Sequence, residues 1–322
     1  MSLPVRVVLM SEVNSKLGAP FLSILAEHPL VELVGVVTSP RGRLCPYFLG
    51  EEDQVDLDAQ GRGWGIPPMR PANVNDPGSV AAIAALKPDY IIVGNYQQIL
   101  KADLLGVPRI TSVNFHPSPL PKYAGWAPFF WMARTGETRS GVTAIAMTTQ
   151  IDGGPVIAAK PIMLSGTETA LEIRESHTVA NVALLRELIP RLAAGRLPLT
   201  PQDPGERTYF SKPGDQDHWL DFTQDTETIL RTVRAGYRRP GAYVLTEDGE
   251  VMVVLSMEAV GTRYPASVTP GTVRHENDDV FIAAKDGWLR LWSIEVEGEE
   301  QLGHLPRSHT SVSTRFAPRP SA

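Results

Sequence analysis

A chain of 322 residues with 43% hydrophobic and 20% charged side chains exceeds the usual size of one domain and has enough apolar material for two cores. Thirty Lys and Arg against 36 Asp and Glu leave a formal net charge of −6, which provides no overall field to draw a polyanion. The one cysteine, Cys45, excludes an internal disulfide framework or a Cys-rich metal site, and no apolar run approaches the roughly 20 residues of a membrane helix, so a soluble cytoplasmic protein with no membrane partner is expected.

The start, MSLPVRVVLM, enters an apolar strand too early for a signal peptide. Residues 5–10 are short, apolar and β-branched, 19–28 have helical spacing stopped by Pro29, and 31–38 read as strand again. The Gly- and Pro-rich stretch 39–76 is expected to be irregular, with Gly61, Gly63 and Gly65 as a flexible turn. A helix over 78–87, a buried strand at 90–93, a short helix at 100–105, a strand at 111–114 and an apolar helix at 126–134 follow. Strands at 142–147 and 156–162 and a long helix over 169–194 complete the alternation. It predicts an α/β fold, a Rossmann-like doubly wound and mostly parallel sheet, whose ligands bind outside the carboxyl ends of its strands.

After Gly195 the composition changes, and residues 197–215 pack four prolines and two glycines into nineteen positions, as a linker does. A helix is then predicted over 225–235. Strands at 242–245 and 251–255 flank a Glu-Asp-Gly turn, and further strands at 271–274, 280–283 and 289–294 suggest a small β-barrel. Residues 303–322 are Ser-, Pro- and His-rich without periodicity and read as a loose polar tail.

Common cofactor signatures are missing from the sequence. No Gly-Lys-Ser/Thr forms a Walker loop, the glycines near residue 63 do not give a dinucleotide fingerprint, and no His pairs with another ligand at i, i+4 on a credible helix, so no metal is expected. Chemistry is suggested instead by VNFHPSPLP, residues 113–121, where Asn114 and His116 stand at a strand's end before three prolines. Thirty-six residues past the His, TTQIDGGPVI sets Asp152 between an apolar residue and two glycines, just before another strand. One reading is a strand fraying into a Pro-rich turn, with a surface Asp beyond it. The other is an acyl-transfer centre, in which the imidazole takes an amine's proton and later returns it, the carboxylate fixes the tautomer and raises basicity, and the Asn amide donates to an oxyanion. The residues alone leave both open.

The segment NFHPSPLPKYAGWAPFFWMARTGETRSGVTAIAMTTQIDGGPVIA resembles the signature region of the folate-dependent formyltransferases, the family of methionyl-tRNA formyltransferase, the sugar-amine formyltransferases and the formyltetrahydrofolate hydrolases. Its Asn-x-His, Ser-x-Leu-Pro turn, Gly and Ala-Pro, Gly-Glu-Thr before Gly-Val-Thr, and Asp-x-Gly fall in family order. VTSPRGR, GIPPMRP and KPDYIIVGNYQQIL extend the resemblance over most of residues 4–200, while YFSKPGDQDHWLDF and RRPGAYV resemble, more weakly, the family's OB-like C-terminal barrel. The resemblance implies a transferase of one-carbon metabolism with Asn114, His116 and Asp152 as catalytic residues and 10-formyltetrahydrofolate as donor. The implied organisation is a catalytic domain over 1–197, a linker over 198–212, the barrel over 213–302 and the tail over 303–322. The pterin pocket implied lies between Asn95, Tyr96, Gln97, Ile99 and Leu100 at one strand end and Gln150 and Ile151 before Asp152. The first three of these read equally as surface loop, and Ile99 and Leu100 as core.

For the acceptor, departures from the transfer-RNA enzyme carry the expectation. Arg41 and Arg43 are followed by Glu51, Glu52, Asp53, Asp56 and Asp58, and residues 211–322 hold twelve Lys or Arg against seventeen Asp or Glu, a net of −5. Lys122, Tyr123 and Ala124 stand where the tRNA enzyme has arginines around an aromatic. A small-molecule amine, such as an amino sugar or a hydroxyornithine-type side chain, is therefore the expected acceptor, with methionyl-tRNA as alternative. A formyltetrahydrofolate hydrolase and an inactive folate-binding module are the further alternatives. Arg231, Arg234, Arg238 and Arg239 lie in a helix-like stretch and are expected to pair with nearby acids such as Asp225 and Glu227 instead of forming a basic stripe.

Overall fold

The computed structural model describes residues 3–49, 53–261 and 268–313. The chain forms two compact units, one of Met1–Gly125, Arg139–Met163 and Glu175–Tyr209, the other of Trp126–Thr138, Leu164–Arg174 and Phe210–Ala322. Segments 126–138 and 164–174 thus group with the C-terminal part, which a continuous unit over 1–197 does not anticipate.

The elements in chain order are β1 (Val5–Met10), α1 (Gly18–Glu27), β2 (Val31–Val37), α2 (Leu57–Gly63), α3 (Pro77–Ala85), β3 (Tyr90–Val93), α4 (Ala102–Leu105), β4 (Thr111–His116), β5 (Ala124–Gly125), α5 (Pro128–Thr135), β6 (Arg139–Ala146), β7 (Val156–Met163) and α6 (Ala170–Ala193). They are followed by β8 (Tyr209–Phe210), α7 (Thr226–Gly236), β9 (Tyr243–Leu245), β10 (Val251–Val260), β11 (Val273–Glu276), β12 (Asp279–Ala283), β13 (Trp288–Val296) and β14 (Glu299–Leu302). No helix among the described residues is long and apolar enough to cross a membrane.

The first unit is built on one sheet in the order β2-β1-β3-β4-β6-β7. Its first four strands are parallel, and β6 and β7 are added antiparallel. Alternation along each strand feeds two cores. Val7, Leu9, Tyr90, Ile92, Val113 and Phe115 join Phe21 and Leu25 of α1 and Leu185, Leu188 and Ile189 of α6, while Val8, Met10, Ile91 and Val93 join Ile83 of α3 and Leu104 of α4. The irregular stretch expected over 39–76 contains α2, which begins where Asp56 accepts hydrogen bonds from the amides of Asp58 and Ala59. Gly61 and Gly63 lie inside that helix, not in a flexible turn. At Gly61 the close packing requires glycine, since a Cβ there would come within 2.8 Å of the Ile66 carbonyl, whereas Gly63 faces open space. The acidic pair expected in this loop, Glu51 and Glu52, lies outside the described residues.

The second unit carries an antiparallel sheet in the order β11-β12-β13-β10-β9, with β14 on β13. Residues 310–313 then join its two edges. Val273 donates to the Thr310 carbonyl at 2.7 Å, Val312 to the Gly271 carbonyl at 2.8 Å, and Ser313 to the Leu245 carbonyl at 2.9 Å. This closure makes the sheet barrel-like, and it buries Leu305 and Val312. The loose tail expected from residue 303 is therefore structural through residue 313, because these two apolar side chains belong to the barrel core; residues 314–322 lie outside the described residues. The arginines of the helix-like stretch are all paired. Arg231 and Arg234 reach Glu227 at 2.9 and 2.8 Å, Arg239 reaches Glu295 at 2.9 Å, and Arg238 lies 3.8 Å from Glu300.

Candidate active site

The strand expected to stop at Asn114 continues through His116, because β6 supplies an antiparallel partner that pairs Asn114 with Ile145 and His116 with Thr143. Two positions apart, Asn114 and His116 face one side of the sheet. Between them Phe115 turns to the other side and meets Phe21 edge to face with ring centroids 4.9 Å apart. Burying such a ring contributes about 2–3 kcal/mol and fixes the strand that presents its two polar neighbours.

The proline-rich turn after His116 is not a frayed end. Thr143 Oγ1 donates to the Ser118 carbonyl at 2.8 Å and accepts from the Leu120 amide at 3.1 Å, while Ser118 Oγ donates to the Lys122 carbonyl at 2.8 Å. The turn brings the Tyr123 carbonyl to 3.0 Å from His116 Nε2. Tyr123 has a left-handed backbone, with φ of 56°, and its amide is held by Thr208 Oγ1 at 2.8 Å. A carbonyl oxygen can only accept, so Nε2 carries the ring proton and Nδ1 is the basic nitrogen.

Asp152 approaches that nitrogen from the loop between β6 and β7. Its Oδ1 lies 3.5 Å from His116 Nδ1, and both side chains are almost wholly buried. Its Oδ2 accepts from the Gly125 amide at 2.9 Å, and its carbonyl accepts from Gln202 Nε2 at 2.8 Å and from Arg207 at 3.3 Å. The loop closes over Gly154, where a Cβ would sit 1.8 Å from the Ala146 carbonyl. A 3.5 Å separation exceeds the roughly 2.7–2.9 Å of a charge-assisted hydrogen bond. A proton arriving at Nδ1 would convert the gap into an ion pair. The tautomer is thus set by the Tyr123 carbonyl and not, as the sequence suggested, by the carboxylate, which faces Nδ1.

The other expected site residues are distributed unevenly. Asn95, with φ of 56°, donates to Ser15 Oγ at 3.1 Å. Gln97 donates through its amide to Glu12 Oε1 at 2.8 Å and through its side chain to Cys45 Sγ at 3.2 Å. The Tyr96 hydroxyl is buried without a partner, and burial first, then the nearby Glu12 carboxyl, push its pKa well above the usual phenol range. Leu100 packs into the core with Ile83 and Leu104, whereas Ile99 is surface-exposed. Gln150 and Ile151 are exposed on the loop that delivers Asp152. Thr143, Ser118, Gln202, Arg207 and the Tyr123 carbonyl were not anticipated. Of these, Ser118 and Thr143 stood in recognisable motifs, the Ser-x-Leu-Pro turn and the Gly-Val-Thr. Among the described residues no group of three or more His, Cys, Asp or Glu could hold a metal ion.

Comparison with known proteins adds a family to this geometry. The family model described as Formyl transferase matches residues 5–189, and Formyl transferase, C-terminal domain, matches residues 214–304. The chain is 28% identical over 298 residues to a methionyl-tRNA formyltransferase of Thermotoga maritima, covering 88% of this chain and 91% of that one. It is 30% identical over 300 residues to the enzyme of the same name from Citrifermentans bemidjiense, covering 92% and 91%. Among solved structures it is similar to an N-formyltransferase from Helicobacter canadensis in complex with folinic acid and dTDP-3-aminofucose, with a TM-score of 0.64, 16% identity, and coverage of 90% of this chain and 98% of that one.

Proposed function

Because this chain belongs to the formyltransferase family, we propose that it transfers a formyl group from 10-formyltetrahydrofolate to the amino group of a small-molecule acceptor. The His116–Asp152 pair carries the proposal, since it offers one unprotonated imidazole nitrogen beside a buried carboxylate. Nδ1 takes the proton of the attacking amine, Asp152 stabilises the resulting imidazolium, and the same nitrogen returns the proton to the leaving nitrogen. Asn114, on the same strand face, is assigned the donation of its amide to the oxygen of the formyl group as that oxygen gains charge. The folate supplies the formyl carbon. The backbone of Asn95, Tyr96 and Gln97, together with exposed Gln150 and Ile151, suits the holding of a flat heterocycle, because the Asn95 and Gln97 side chains are already engaged within the protein. Leu100, in the core, takes no part.

The small-molecule acceptor is supported by the charge balance. A surface that tracks a phosphate backbone needs uncompensated cations, and here Arg231 and Arg234 share Glu227 while Arg238 and Arg239 face Glu300 and Glu295. The relatives named methionyl-tRNA formyltransferase support a second reading, with charged tRNA as acceptor. Incubation with 10-formyltetrahydrofolate and a panel of amines, with initiator methionyl-tRNA as one member, distinguishes the two by mass spectrometry. A small amine that gains one formyl group is the expected result. Formylation confined to tRNA, with affinity falling steeply in salt, would replace it, and formate released without any acceptor would indicate a hydrolase.

A further inference from the structure

Among the buried polar atoms that no described residue bonds, three follow the carboxyl ends of adjacent strands: Glu12 Oε2 after β1, Thr38 Oγ1 after β2 and the Tyr96 hydroxyl after β3, with Gln98 Nε2 two residues beyond Tyr96. Neighbouring side chains are engaged within the protein. Ser11 Oγ donates to the Gly94 carbonyl at 2.6 Å, Ser15 Oγ accepts from the Gly18 amide at 3.0 Å, and Ser39 Oγ accepts from the Val13 amide at 3.1 Å. The Asn14 side chain holds both backbone groups of Cys45, at 2.8 and 3.1 Å. Glu12 Oε1 is itself taken by the Gln97 amide. Of these open atoms, a buried carboxylate oxygen without a donor is the costliest.

The place is in line with the proposed reaction centre. Strand register puts Met10, Val93 and Asn114 in one row, so Glu12 and His116, each two residues further on, stand at one level on strands two apart in the sheet. Their backbones are separated by about 10 Å at ordinary strand spacing. Glu12 continues the row, its amide donating to the Asn95 carbonyl at 2.9 Å.

Resting on the formyl-transfer reading, we propose that Glu12, flanked by Thr38 and Tyr96, determines acceptor specificity by binding a second, non-reacting ammonium group of the acceptor. A carboxylate oxygen satisfies an ammonium and repels a phosphate, while the two hydroxyls can accept the remaining N–H protons. The acceptor class is then a diamine or basic amino acid with roughly a four- to six-carbon spacer, the scale set by two side chains reaching inward across about 10 Å. One amine is formylated and the other stays protonated at Glu12.

The test compares cadaverine with pentylamine, which lacks the second amine, on the full chain by isothermal titration calorimetry and by formylation kinetics. Wild type is expected to bind cadaverine at least tenfold more tightly, and Glu12→Gln, which keeps an acceptor for the Gln97 amide, to bring that ratio close to one by raising KM much more than it lowers kcat. The isosteric Tyr96→Phe is expected to reduce the ratio about threefold, and it serves if Glu12→Gln fails to fold. A wild-type ratio near one, or a ratio that neither variant changes, overturns the subsite whatever is formylated. Glu12-dependent selective binding without formyl product leaves the subsite standing and sinks the transfer reading.

Discussion

The two units treat their charges in opposite ways. In the barrel-like unit the arginines of the α7 region pair with glutamates, Arg231 and Arg234 sharing Glu227 and Arg239 meeting Glu295, so most of the charge is offset locally. In the sheet unit a few polar groups are buried at strand ends and several are left incomplete: Nδ1 of His116 at 3.5 Å from its carboxylate, and the open oxygens of Glu12, Thr38 and Tyr96. Exposed ion pairs contribute little and recognise little. Buried, incomplete groups cost stability and are retained where a ligand completes them.

The largest expected break in that contrast is His116→Ala, which should reduce kcat/KM for formyl transfer by about 10³, with Asp152→Asn about ten times milder. Product quantified by mass spectrometry beside a thermal melt tests it, and a His116→Ala enzyme within tenfold of wild type removes the imidazole from the mechanism. Next comes Gly154→Ala. Its Cβ would have to occupy space 1.8 Å from the Ala146 carbonyl, so the loop must move and carry Asp152 with it. Activity should drop about 100-fold, as expected when a catalytic group is displaced by an ångström. Gly63→Ala, facing open space inside α2, should instead stabilise the protein by about 0.5–1 kcal/mol.

A smaller effect is expected at Asp89. Burial works to raise its pKa, but the Arg6 amide at 2.9 Å and the Arg109 guanidinium at 2.6 Å outweigh it and hold the carboxyl below its usual range. A group depressed in the folded state adds stability above its unfolded pKa, about 3.9, and loses it as pH falls through the lower folded value. Asp89→Asn should therefore cost about 1–2 kcal/mol at neutral pH, and urea melts should show the gap to wild type closing below about pH 4. A gap independent of pH would assign the loss to packing. The smallest effect is reserved for the cancelled charges: Arg231→Ala with Arg234→Ala should change initiator-tRNA affinity less than twofold at low salt, and a tenfold loss would mean that these arginines contact phosphate after all.

Much of the fold was legible because the sheet is buried on both faces and its strands are continuous apolar runs bounded by breakers, as at residues 90–93. The closing segment was not, since Leu305 and Val312 are isolated apolar residues and the bridges of Ser311 and Val312 run to Thr272 and Thr246, far back in the chain. The full length of β4 was hidden for the same reason, as pairing with β6 is what carries the strand past Asn114 to His116. At the site, His116 and Asp152 could be found by side-chain type and motif. The Tyr123 carbonyl could not, because every residue has one and only the folded turn aims it. Glu12 was overlooked despite offering the same signal as His116, an ionisable side chain just past an apolar strand.

The Asn14 clamp on Cys45 makes the chain its own reporter. Cys45 is fully buried, tied at its backbone by Asn14 and at its sulfur by Gln97, the residue whose amide holds Glu12. With no second thiol in the sequence, any alkylation must wait for this loop to lift. The labelling rate is then the opening equilibrium multiplied by the intrinsic rate of a free thiol, in the manner of native-state exchange. A compound that bridges the loop to Glu12 should slow that clock, and one that binds elsewhere should leave it running at its old pace.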